Sequence, residues 1–298
     1  MSADEWLEVD VTSWSLVQVD NRGKREKWWV EAPDGTRWLR KQPSTTRAAL
    51  AETEPAVEAF ALRLARASGL DAPRSAVATW RRDDASEARG IVVEKFTDDD
   101  EQLSSGEQLL SRFFRDEYIK SCKGHHTITR IRDVLAGLER QDPGAQLLVP
   151  FARIVAFDAW IGNCDRHQGN WGIIEAPAKP MRLAPLYDPA ASLGRELNSD
   201  HRHLRDPDNP PESYVNSCRS GFGDGSTLVR QPAVVREIRS WPEWQAHIGT
   251  WIASFAEQFP YADRLLDEIP DRWLSVTRKR FARALLRRRI EWLGRTVR

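Results

Sequence analysis

The chain has 298 residues, 41% hydrophobic and 30% charged, enough for one large domain or two modest ones around a substantial core. Its 44 Lys and Arg residues balance 44 Asp and Glu residues, so no global field favours nucleic acid or an anionic membrane. Cys122, Cys164 and Cys218 are too scattered for a disulfide framework, and neither a signal-peptide core nor a membrane-length apolar run occurs; the expectation is a cytoplasmic protein.

In chain order, residues 27–41 read as a hairpin: Lys27 to Glu31, the turn Pro33-Asp34-Gly35, and a return strand from Thr36 to Lys41. Val57, Phe60, Ala61, Leu64 and Ala65 recur at helical spacing from Glu54 to Ser68, and Gly69 stops the helix. Ser75 to Arg81 and Gly90 to Phe96 read as two more strands. The acidic stretch from Thr97 to Gly106 then reads as a boundary, dividing the chain into 1–96 and 97–298.

Helices are expected over Glu107–Lys120, Thr129–Glu139 and Val149–Ile161. Two short strands, Trp171–Glu175 and Met181–Tyr187, flank a turn over Ala176–Pro180. Residues 195–227 are rich in Gly, Pro, Asn and Asp and read as a long loop, functional or mobile. Helices resume over Ala233–Phe259 and from Arg272 onward. The 13 tryptophans, among them Trp28, Trp29, Trp38, Trp80 and Trp171 on expected strands, read as core and sheet packing, because no basic run interleaves with them.

The most informative stretch is Asp165-Arg166-His167-Gln168-Gly169-Asn170, followed by Asp188. Asp165 suits a base that orients an acceptor hydroxyl and takes its proton. Asn170 and Asp188 offer hard oxygen ligands to magnesium. Folding the chain at about Ala178 sets Asn170 and Asp188 side by side at the open end of the hairpin, with Asp165 in the loop just before. The bland alternative makes Asp165 and Asn170 turn formers and Asp188 a strand-end residue.

Lys41 ends a strand, and Glu58 lies 17 residues on within the next helix. Such a Lys–Glu pair holds nucleotide phosphates in protein-kinase-like enzymes. Glu52 and Glu54 compete for the acidic role, and Arg40 blurs the basic one. Glu94-Lys95-Phe96 closes the last strand of the first part, where the backbone of a hinge would meet adenine.

The run Gly162 to Gly172, with Leu183 to Gly194, resembles the catalytic core of HipA-like kinases, whose wider group includes the phosphoinositide 3/4-kinase-like folds. Trp38-Leu39-Arg40-Lys41 resembles the family's nucleotide-lysine strand, and Val92 to Phe96 its hinge. The resemblance covers roughly residues 25–195. It implies an α+β, two-lobe protein-kinase-like fold with ATP and Mg2+ in the cleft. Asp165 would be the catalytic base, Asn170 and Asp188 the magnesium ligands, Lys41 the phosphate contact and Glu58 its partner. Glu94 and Phe96 would line the nucleotide site, and His167 would be a structural or phosphate-side member of the loop. The implied acceptor is a protein Ser or Thr, and the resemblance also allows a regulatory protein partner.

Two departures stand out. The stretch Val19–Lys27, where a phosphate-covering loop belongs, holds only Gly23, leaving backbone amides and Lys24, Arg25 or Lys27 to cradle phosphate. The chain is also shorter than the long toxin members. A small-molecule or lipid kinase would share every catalytic residue, a pseudokinase would have lost one, and a nucleic-acid-binding regulator would need a basic surface. Cys122, His125 and His126 have zinc-like spacing without a second pair, and read as a polar helix end. The basic C-terminal stretch from Arg278 to Leu293 reads as an amphipathic helix on the large lobe.

Overall fold

The computed structural model describes residues 8–20, 27–43, 53–119, 122–197 and 201–296. Expectations that fall on Lys24, Arg25 and Glu52 lie outside these residues.

The N-terminal part is a six-stranded sheet with one helix. Strands β1 (Glu8–Asp10), β2 (Ser15–Asp20), β3 (Lys27–Glu31), β4 (Arg37–Lys41), β5 (Ser75–Arg81) and β6 (Glu87–Glu94) lie in the order β1-β5-β6-β4-β3-β2, and only β1 and β5 run parallel. Helix α1 (Glu54–Ala67) covers one face, packing Val57, Phe60, Ala61 and Leu64 with Val77, Ile91 and Val93 of the sheet. The other face buries Val11, Ala76, Ala78, Trp80 and Val92, with Trp14 and Trp38 against them. Arg40 sits between the rings of Trp28 and Trp80, at 4.9 and 4.8 Å. Strand alternation thus turns Arg40 to the aromatic face and Lys41 to the opposite one. Trp80 and Trp171 are buried; Trp28, Trp29 and Trp38 are half-buried.

The boundary stretch holds a strand of its own, β7 (Gln102–Ser105). It forms a three-stranded sheet with β8 (Gly172–Ala176) and β9 (Lys179–Leu183). Helices α2 (Gly106–Phe114), α3 (Ile128–Gln141) and α4 (Leu148–Ile161) follow the expected order. Helix α2 ends six residues earlier than the composition suggested, at a short turn of tighter helix over Arg115–Glu117. Ser105 caps α2 in a reciprocal box with Gln108, and Gly162, at φ 70°, ends α4 in the left-handed conformation.

The expected long loop has structure. Residues 212–216 form helix α5 (Glu212–Asn216), and β10 (Arg219–Gly223) pairs antiparallel with β11 (Leu228–Arg230). The helical stretch expected over Ala233–Phe259 is built of two helices, α6 (Gln231–Ser240) and α7 (Pro242–Glu257). Pro242 cannot continue an incoming helix but suits the first turn of a new one. Helix α8 (Phe259–Glu268) and the 21-residue α9 (Val276–Thr296) complete the chain. No helix among the described residues is long and apolar enough to cross a membrane.

Four arginines of α9 grip the segment before β10, and Arg283 pairs with Asp263 and Asp267 of α8. Arg278 donates to the carbonyls of Gly194 and Leu197, Arg280 pairs with Asp208, Arg288 donates to the Pro210 carbonyl, and Arg289 donates to that of Val215. This basic run is a set of fastenings across the fold.

Candidate active site

The site forms where α1, the β4 end and the loop after α4 converge. Lys41 is buried, and its Nζ donates to Glu58 Oε1 at 2.5 Å and to Asp188 Oδ1 at 3.3 Å. Of Glu54 and Glu58, Glu58 is the one in contact with Lys41. Glu54 instead pairs with Arg195.

Lys27 lies directly across from Lys41 in the β3–β4 register, so both side chains share one face. Burial, and then the neighbouring Lys41 charge, lower the proton affinity of Lys27, while Asp188, Glu58 and Asp20 oppose the shift. Two amines and three carboxylates therefore gather at the mouth of the sheet.

The loop from Gly162 to Trp171 is fixed from below. Helix α4 is apolar apart from Arg153 and Asp158, and Asp158 is buried. The carboxylate takes a two-point contact from Arg166, at 2.7 and 3.0 Å, and a bond from the Asn163 amide at 2.8 Å. The remaining Arg166 nitrogen donates to the carbonyls of Asn170, at 2.5 Å, and Tyr187, at 2.8 Å. One guanidinium thus joins the Asp165–Asn170 loop to the residue preceding Asp188. Burial disfavours its charge, but Asp158, by proximity and hydrogen bonding, more than offsets this and raises its proton affinity. Gln231 and Arg289 extend the support: Gln231 donates to the Asn163 carbonyl, and Arg289 donates to Gln231 and the Ala159 carbonyl.

The hairpin turns more tightly than expected, with Pro177 and Ala178 alone between β8 and β9, and Ala178 at φ 58°. Its register pairs Ile173 with Leu183 and Ile174 with Arg182, a count that would set Asn170 against Leu186 if the ladder ran on. The strands end at Gly172 and Leu183, however, and the Leu186 N–H donates to the Asp71 carbonyl. Asp188 lies two residues beyond Leu186, where its own φ of 52° turns the chain. The Arg166 bridge, rather than ladder pairing, brings the two ends together.

Asp165 is exposed, with its backbone tied on both sides: its N–H donates to Asn163 Oδ1 and its carbonyl accepts from Asn170 Nδ2 at 2.9 Å. That last bond fixes the Asn170 amide and leaves its oxygen as the acceptor end. His167 is exposed, and its Nδ1 accepts from the Gly169 N–H at 2.9 Å, an arrangement internal to the loop. The Glu94 side chain forms a two-point pair with Arg74, both contacts 2.6 Å, and its N–H donates to the Arg74 carbonyl, so the side chain is committed away from a hinge role. Phe96 stacks on Tyr187, with ring centres 5.6 Å apart, and joins the strand end to the hairpin.

Magnesium commonly takes one or two carboxylates, with water and substrate phosphates completing its shell. Asn170 Oδ1 and the Asp188 carboxylate fit that limited demand. Among the described residues no group of three His, Cys, Asp or Glu side chains could hold a metal unaided.

Several supports escaped the sequence reading. Asp158, a carboxylate in an otherwise apolar helix, was a usable signal, because buried charges need partners. His126 is fully buried and receives the Trp171 indole N–H at Nε2, 2.9 Å, while Nδ1 donates to the Gly221 carbonyl, 2.8 Å. Burial lowers its pKa to about 4, and the bonding pattern holds the neutral ring. His125 accepts from the Ile119 N–H, so the two adjacent histidines perform separate structural tasks.

A sheet-rich part and a helical part, meeting at a Lys–Glu–Asp cluster beside a braced loop, define the class: a protein-kinase-like α+β fold. Residues 19–224 match the family model of the HipA-like C-terminal domain, and the chain belongs to that family. A crystal structure of the Helicobacter pylori proinflammatory kinase CtkA superposes with a TM-score of 0.73 at 16% identity, covering 98% of each chain. HipA of Shewanella oneidensis MR-1, solved with HipB and operator DNA, gives a TM-score of 0.55 at 14% identity, covering 93% of this chain and 65% of its own. The comparison with curated proteins finds no match. The family and these neighbours support a kinase-type phosphotransferase.

Proposed function

We propose that the protein transfers the γ-phosphoryl group of ATP, with magnesium, to a hydroxyl group, in the first instance a serine or threonine of a protein. The observation that carries this reading is Lys41 held between Glu58 and Asp188 at 2.5 and 3.3 Å. Magnesium-bound ATP would supply the phosphoryl group and neutralise charge developing during transfer. Lys41, oriented by Glu58, would contact phosphate oxygens, and Asn170 Oδ1 and Asp188 would hold the metal. Asp165, exposed on a braced loop, would position the acceptor hydroxyl and accept its proton. The backbone of residues 94–96 would meet the base. The protein acceptor follows from family kinship, and the three free thiols favour a reducing, cytoplasmic setting.

Incubation of wild type and Asp165→Ala with radiolabelled ATP, magnesium and cell lysate tests the reading. Label should enter a protein acceptor with wild type and fall by about two to four orders of magnitude with the variant. Label recovered in lipid or a small molecule instead would redirect the acceptor class. Failure of wild type to bind ATP with magnesium would overturn the proposal.

A further inference from the structure

Glu54 and Arg195 lie far apart in the sequence yet form an ion pair, Arg195 Nη1 to Glu54 Oε1 at 3.1 Å, with side-chain exposures of 16% and 2%. Glu54 sits in the first turn of α1, one turn before Glu58, so the two carboxylates share a helix face. A helix N-terminus alone favours an acidic residue there. It does not require that residue to be buried against an arginine from the other part of the fold.

The backbone around Arg195 is shaped and held. Leu193 and Gly194 take positive φ values of 55° and 73°, and the Arg195 N–H donates to the Ser192 carbonyl at 3.0 Å. Arg278 of α9 grips the carbonyls of Gly194 and Leu197, on either side of Arg195. The short segment from Asp188 to Arg195 therefore touches the nucleotide-side half at two points. Asp188 meets Lys41, and Arg195 meets Glu54.

We propose that Arg195 is a positioning residue: by pairing with Glu54 it sets the placement of α1, and hence of Glu58 against Lys41, so that the segment after Asp188 controls nucleotide affinity. This rests on the phosphotransferase reading. The contact uses one guanidinium nitrogen, and Arg195 Nε is buried without a hydrogen-bond partner. A lysine can reproduce such a single-point pair, whereas an uncharged side chain cannot.

Arg195→Met, Arg195→Lys and Glu54→Gln would be compared with wild type and with Arg89→Ala, a change at the exposed Arg89–Glu87 pair. MgATP affinity would be measured by calorimetry, and backbone hydrogen exchange followed over α1 and α4. Arg195→Met and Glu54→Gln should weaken MgATP binding about tenfold and speed exchange in α1, leaving α4 protected. Arg195→Lys should restore most of both, and Arg89→Ala should match wild type. Unchanged α1 exchange in Arg195→Met, or loss of protection spread equally over α4, would overturn the proposal. If wild type binds no MgATP, the phosphotransferase reading fails, and α1 exchange still reports whether Arg195 positions the helix.

Discussion

Arg166 and Asp158 form a two-point ion pair inside the helical part, each side chain at most 2% exposed. The carboxylate comes from an apolar helix and the guanidinium from the loop it supports. Removing one partner leaves a buried charge, which typically costs about 3–5 kcal/mol. Asp158→Ala should lower unfolding free energy by that order in denaturant titration. Arg166→Lys keeps a charge but loses the fork that also reaches the Asn170 and Tyr187 carbonyls. Its activity should fall more than its stability, and equal, small losses in both would argue against a bracing role.

Magnesium-bound ATP at 100 times its dissociation constant should stabilise the protein by about 2.7 kcal/mol, seen as a rise in melting temperature. Chelation of magnesium, or Asp188→Asn, should remove most of that rise. Lys41→Met should also weaken binding, since hydrogen bonds to charged groups contribute about 1.5–3 kcal/mol. A full rise in the Asp188→Asn variant would remove Asp188 from the metal site.

Lys27 faces Lys41 across the strand pair, an arrangement in which like charges disfavour each other. Lys27→Met should therefore leave the melting temperature of the free protein unchanged or higher. Its affinity for MgATP should nonetheless drop several-fold, by the same charge-assisted bonding. Unaltered affinity would show that Lys27 has no part in holding phosphate.

His126 gives the fold an acid limit. Its folded pKa of about 4 lies below the ordinary 6.5 because burial penalises the charged ring. Between these values the unfolded chain binds more protons. The contribution is complete above pH 6.5 and is lost as pH falls through 4, amounting to about 3 kcal/mol. Urea titrations from pH 7 to 4 should show wild type losing stability more steeply than His126→Phe. Parallel curves would assign the acid limit elsewhere.

Gly221 lies against the Asp165–Asn170 loop, and a Cβ there would stand 2.3 Å from the Arg166 carbonyl carbon. Backbone cannot yield as a flexible side chain can, so Gly221→Ala should displace the loop. The expected result is a loss of phosphoryl transfer of tenfold or more, estimated from the sensitivity of catalysis to about 1 Å of misplacement. Wild-type turnover in this variant would mean that the loop tolerates movement.

What the sequence revealed was local or periodic. Ser75–Arg81 forms as read, α1 differs from its expected end by one residue, and Lys41 and Glu58 meet as their strand-to-helix spacing suggested. The hairpin was legible from its apolar strands. Its register was not, because the approach of Asn170 and Asp188 depends on Arg166 and a positive φ at Asp188. Residues 195–227 looked like loop because side chains as far away as Arg289 hold described parts of them, such as Val215. Pro242 did mark a break that helical periodicity alone obscured.

The fastenings from α9 also impose an order on the birth of the site. Asp165 is translated well before Val276, yet the brace behind its loop is finished only by Arg289 reaching Ala159 and Gln231. A nascent chain still lacking α9 carries every proposed catalytic group and the Asp158–Arg166 pair, but not the outer support that Arg289 adds. Ribosome-arrested chains ending before Val276 should therefore fail to retain MgATP, whereas chains released after Thr296 should bind it.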